Sequence, residues 1–161
     1  MFWIALWVAQ VAVTPQIERG EALFFEAAKG CANCHALKGR GTAAGPDLTV
    51  LGRISPAAIA AGTRSTTTQY VQTVTLKSKE SFPAMPSAKD EKTIQLYDLS
   101  KTPAQLRKIE RTEIESMKGN DRWKHPPAER KYTDEQMADI VAYIRYAVTG
   151  SRKNVEPSEV R

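Results

Sequence analysis

Cysteine and histidine are scarce: two of each in 161 residues. Two cysteines rule out a disulfide-rich scaffold. Aromatic residues make up only 7% of the chain, a thin supply of large core side chains that a buried apolar prosthetic group would supplement. The glycine-rich stretch from Lys38 to Pro46 lacks the phosphate-loop spacing. No nucleophile–base pair or paired catalytic carboxylates stand out, so hydrolysis has no support. The net charge of +5 alone would allow nucleic acid, but the charge is dispersed and no binding motif accompanies it, so no nucleic-acid partner is expected. No apolar run reaches the roughly 20 residues needed to cross a bilayer. The longest, Phe2 to Val13, suits the apolar core of a signal peptide, or an N-terminal anchor giving membrane association, although no Lys or Arg precedes it and no small-x-small site follows.

Both cysteines and one histidine fall in a single hexapeptide, Gly30-Cys31-Ala32-Asn33-Cys34-His35. C-x-x-C-H is the spacing of covalent haem attachment: two thiols one turn apart reach the vinyl groups and the adjacent imidazole turns to the iron. The competing readings are a redox C-x-x-C and half a zinc site. A zinc site needs a second ligand pair, and His125 is the only other Cys or His. One covalently attached haem c is therefore the expected cofactor.

The surroundings of the motif resemble the class I c-type cytochromes. The resemblance is carried by Gly20-Glu21-Ala22-Leu23-Phe24, the motif itself, Gly45-Pro46-Asp47-Leu48, Leu51-Gly52-Arg53, and the stretch from Tyr132 to Arg145. It implies a mainly α, helical haem domain in which Gly20 and Phe24 of the first helix meet Tyr143 of the last. It also implies that the Pro46 carbonyl accepts a hydrogen bond from His35, that Leu48 and Leu51 lie near the porphyrin, and that Arg53 is a candidate propionate partner, weighed against an ordinary solvated arginine.

The expected organisation is a leader or anchor over residues 1–14, a cytochrome domain over 15–150 and a flexible tail over 151–161. Ser55-Pro56 opens a short helix. Residues 70–116 break the family pattern: alternation around Val71 to Leu76, Phe82 to Ala84 and Thr93 to Leu99 predicts a small β-rich insert. Thr133 and Gln136 predict a capping box, Met137, Ile140, Val141 and Ile144 one apolar helix face, and Gly150 the helix stop.

The second axial ligand has three candidates. His125 stands where the resemblance would put the distal methionine, followed by Pro126, and is preferred. Met85, in Pro83-Ala84-Met85-Pro86, copies the family's Met-Pro motif but falls in the β-rich segment. Met117 lies nearer the last helix and lacks the following proline. Trp123 is a candidate for the haem edge. The function expected is an exported, periplasmic electron carrier rather than an enzyme, with redox proteins as partners. A haem enzyme or gas sensor with a displaceable ligand, and a relay subunit of a larger dehydrogenase, stand as alternatives.

Overall fold

The computed structural model describes residues 13–65, 70–126 and 132–161. The apolar run expected as leader or anchor therefore lies, up to residue 12, outside the described residues, and among these no helix is long and apolar enough to cross a membrane.

Helix α1 (Pro15–Phe24) starts where Thr14 accepts from the Ile17 amide and Pro15 occupies the first turn, where a missing N–H costs nothing. A 3₁₀ turn (Cys31–Asn33) carries the attachment motif, and the strands β1 (Ala36–Leu37) and β2 (Arg40–Gly41) form a short hairpin behind it. A second 3₁₀ segment (Leu48–Arg53) leads to α2 (Pro56–Arg64), capped by Ser55. The last helix, α3 (Asp134–Thr149), has the expected reciprocal box between Thr133 and Gln136 and ends at Gly150 with φ 73°, the left-handed conformation a glycine adopts without a Cβ penalty.

Helices α1 and α3 cross at Gly20. A Cβ there would collide with the Asp139 carbonyl, so the close approach depends on hydrogen in place of a methyl. Beside the crossing, Phe24 and Tyr143 lie with ring centroids 5.4 Å apart, and Arg19 forms a two-bond fork on the buried Asp139 carboxylate at 2.8 and 3.0 Å. The helical core collects Ile17, Phe24, Leu37, Ile59, Met137, Ile140, Val141 and Ile144.

The remainder is a five-stranded antiparallel sheet: β3 (Gln72–Leu76), β4 (Ser81–Lys89), β5 (Thr93–Asp98), β6 (Gln105–Glu110) and β7 (Ile114–Gly119), in the order β6-β5-β4-β3-β7. This corrects the expectation of a mainly α protein: helix accounts for 37% and strand for 26% of the described residues, so the sheet is a principal layer and not a minor appendage. The physical reason is that β-branched and aromatic residues alternate over enough consecutive strands to enclose a separate core of Val74, Leu76, Phe82, Ala84, Ile94, Leu96 and Ile109.

The sheet must curl. Strands β6 and β7 are its opposite edges, yet only Arg111–Glu113 joins them. Four strand spacings of a flat sheet come to about 19 Å, whereas the chain from Glu110 to Ile114 reaches about 14 Å at most. The Arg111 amide donating to the Lys92 carbonyl and the Lys77 amide to the Glu113 carbonyl, each at 2.8 Å, fix the converging ends. Residues 151–161, expected as a flexible tail, instead fold back: Val155 and Val160 are buried, Gln16 exchanges two hydrogen bonds with Val155, and Arg64 donates to the Val160 carbonyl.

Two tests follow from these contacts. Gly20→Ala overpacks the crossing and is expected to cost about 1–3 kcal/mol, read as a lower denaturant midpoint at unchanged slope. In the β4–β5 turn, the hydroxyl and amide of Thr93 and the amide of Lys92 all donate to Asp90, holding its carboxyl at about 2. A depressed carboxylate stabilises the fold above its unfolded value and loses that contribution as the pH falls through the folded one. The thermal midpoints of wild type and Asp90→Asn should therefore differ above about pH 4 and converge towards pH 2.

Candidate cofactor site

The attachment segment is held before any cofactor is considered. Gly30 packs so closely on the backbone of Phe24 and Glu26 that no side chain fits there. Asn33 donates from its amide to the carbonyls of Glu26 and Ala27 at 3.3 and 3.1 Å, and its own carbonyl accepts from the Ala104 amide at 3.0 Å. That last bond ties the β5–β6 loop of the sheet directly onto the C-x-x-C turn. The Cys31 thiol is buried and that of Cys34 half-buried.

The ring of His35 is fixed from two sides. Its Nδ1 lies 2.8 Å from the Pro46 carbonyl oxygen. A carbonyl only accepts, so Nδ1 carries the proton and Nε2 presents its lone pair. Burial lowers the affinity of the imidazole for a second proton, and the Pro46 bond opposes this only in part, so the neutral, ligand-competent form is favoured. Gly45 supplies the second constraint. A Cβ at that position would stand 2.5 Å from Cε1 and 2.8 Å from Nδ1 of His35, so the backbone passes flush against the ring.

His35 faces His125: the two ring centroids are 5.9 Å apart and the ring planes are perpendicular. Both rings line two cavities, one of about 360 Å³ and one of about 240 Å³, which also share Cys31, Pro46 and Gly62. The smaller is walled by Leu48, Leu51, Ile59, Ile140 and Ile144 of the helical layer. The larger adds Cys34 and Trp123, together with Tyr70, Met85, Leu99 and Lys101 from the sheet side. The structure thus brings together Cys31, Cys34, His35, Pro46, Trp123 and His125 from the sequence-derived set. It does not bring Arg53: that residue is exposed at the end of its 3₁₀ segment and lines neither cavity. Met117 lies on β7 against the sheet's own core.

Sequence reasoning missed the contribution of the sheet. On β4, Phe82 and Ala84 point into the sheet core, so Met85 faces the opposite way, and on β5 the inward Leu96 and Asp98 leave Leu99 on that same outer face. Apolar residues on the face that should meet water were the legible signal of a second wall. Lys101 and Tyr70 come from loops and carried none. The Gly45 contact is testable without any cofactor: Gly45→Ala should push the imidazole off Pro46, seen as loss of the slowly exchanging His35 Nδ1–H resonance while the α1–α3 core resonances stay in place.

The family model for cytochrome c matches residues 17–109, more than half of the chain, and no curated protein matches it. That family binds haem c and typically carries electrons. The residues present fit such a group. Two thiols at C-x-x-C spacing border the space, and a neutral imidazole with its Nδ1 engaged leaves Nε2 for a metal. With nitrogen–metal bonds of about 2 Å on each side and about 1 Å from each nitrogen to its ring centre, two imidazoles on one metal would have centroids about 6 Å apart. The observed separation matches this, and the matched span begins at Ile17 on α1 and runs through the attachment motif and four strands of the sheet to Ile109. The chain belongs to the cytochrome c family.

Proposed function

We propose that the protein is a single-haem c-type cytochrome that passes electrons between redox proteins, with Cys31 and Cys34 as the thioether residues and His35 and His125 as the axial pair. The observation that carries this reading is the perpendicular pair of imidazoles, 5.9 Å apart, beside two thiols at the edge of an apolar space. The haem, when bound, supplies the one-electron chemistry. The chain supplies the rest. Pro46 orients His35 and raises its basicity, as outer partners of metal-bound histidines do. Leu48, Leu51, Ile59, Ile140 and Ile144 exclude water from one side. Trp123 and Leu99 cover the other. Two strong protein ligands leave no position for a substrate, which favours electron transfer over peroxide or gas chemistry.

Export belongs to the same proposal. Cytochrome c domains are commonly exported, and the apolar run before Val13 suits a leader or a membrane tether. The excess of basic residues, with Lys38 exposed on the turn between β1 and β2, suits a partner with an acidic face.

The test is the absorption spectrum of the protein matured with haem. One haem per chain that resists acid–acetone extraction is expected, with a low-spin oxidised spectrum that lacks the far-red band of methionine-to-iron charge transfer. Cys31→Ala/Cys34→Ala should release the haem to extraction. A high-spin oxidised spectrum, or the far-red band, would overturn the His35–His125 assignment.

A further inference from the structure

Helix α2 is the least secured wall of the cofactor space. Ala58, Ile59, Gly62 and Thr63 line the smaller cavity, and Gly62 lines the larger one too. Nine residues are fewer than a helix needs to persist alone in water, and Gly62 weakens this one further. A Cβ on Gly62 would meet no neighbouring atom within 4 Å, so the glycine answers no packing demand of the chain and leaves room on the cavity side. Only Ile59 and Ala60 of α2 are buried, whereas α3 is buried at every position from Met137 to Ile144. The C-x-x-C turn is bonded to the sheet through Asn33 and Ala104. Of these three walls, α2 has the least to lose by moving.

What secures α2 is the segment 151–161. It runs back along α3, from Gly150 at one end to Asp134 at the other, about 24 Å for a helix of 16 residues. Gln16, on the first turn of α1, fastens its middle by exchanging hydrogen bonds of 2.8 and 3.0 Å with Val155. Its far end meets the last residue of α2. There Arg64 donates to the Val160 carbonyl and, at 2.9 Å, to the Asp134 carboxylate, whose other oxygen accepts from Arg161 at 2.9 Å. Val155 and Val160 are buried in the same core as Ile59 and Ala60. We propose that residues 151–161 are a latch and α2 the door of the cofactor space, which opens to admit the haem when the latch lets go. The inference rests on the haem reading above and adds a route of entry to it. Release breaks the Arg64 bonds and exposes Val160, and it leaves the Arg19–Asp139 fork and the Phe24–Tyr143 contact of the α1–α3 crossing in place. Such a local opening costs less than unfolding the whole chain.

Hydrogen exchange and haem kinetics test the latch on the full chain. Arg64→Met keeps most of the side chain's length and removes its donors. In the apo-protein it should raise exchange of the α2 amides by roughly tenfold or more, the effect of losing a hydrogen bond to a charged group. Val74→Ala loosens the separate sheet core, and there the α2 amides should keep their wild-type rates. In a Cys31→Ala/Cys34→Ala background haem comes and goes without a thioether bond. Arg64→Met should then speed both uptake of haem by the apo-protein and its loss to apomyoglobin, by similar factors, because an open door lowers the same barrier in both directions. Unchanged α2 exchange in Arg64→Met, or faster loss without faster uptake, overturns the latch. If the α2 amides respond to Val74→Ala as they do to Arg64→Met, they exchange only by global unfolding and α2 is no door. A wild-type chain that acquires no haem overturns the haem reading instead, and the exchange result stands without it.

Discussion

The hydrogen bond from His35 Nδ1 to the Pro46 carbonyl, 2.8 Å long, decides what the rest of the site can be. It sets the tautomer, and therefore which nitrogen is offered to a metal. The Gly45 backbone passes close to the ring on its Cε1 and Nδ1 side, where a Cβ would collide with it. Everything upstream serves that placement: α1 is anchored on α3 through Gly20, Gly30 docks on the end of α1, and Asn33 pins the motif turn to the carbonyls of Glu26 and Ala27. A ring so constrained is preorganised, and a ligand that needs no reordering loses little entropy on binding.

The opposite wall is built on different principles. The helical layer buries its apolar faces in one core and the curled sheet encloses another, and the larger cavity is lined from both sides. Because the strands alternate, one face of the sheet maintains its own core while the other is available to the cofactor site. The Asn33–Ala104 bond keeps the two layers in register at the attachment motif. From the sheet side, Met85, Leu99 and Lys101 line the larger cavity.

The helical half was legible because its signals are local. The capping box at Thr133, the α3 face of Met137, Ile140, Val141 and Ile144, and the C-x-x-C-H spacing are all read within a few residues. The weight of the sheet was not. β3, β4 and β5 were readable by alternation, but β6 and β7 were not, and the edge-to-edge closure through Arg111–Glu113 depends on pairing between residues far apart, as between β3 and β7. The mainly α expectation came from the family resemblance, which is carried by segments on either side of the sheet. The tail was misread for a related reason: its polar composition hides Val155 and Val160, which are buried by contacts with distant elements. Arg53 was drawn to the site by resemblance alone, and its exposed side chain lies elsewhere.

The central proposal is that His35 and His125, whose ring planes stand at 90°, would hold one cofactor between them. Electron paramagnetic resonance of the oxidised, haem-loaded protein reads both parts at once, ligand identity and ring orientation. Perpendicular imidazole planes leave the iron orbitals nearly degenerate, so the account predicts a low-spin signal dominated by a single, strongly anisotropic low-field feature. A high-spin signal, or the rhombic three-line pattern of parallel axial planes, would contradict it.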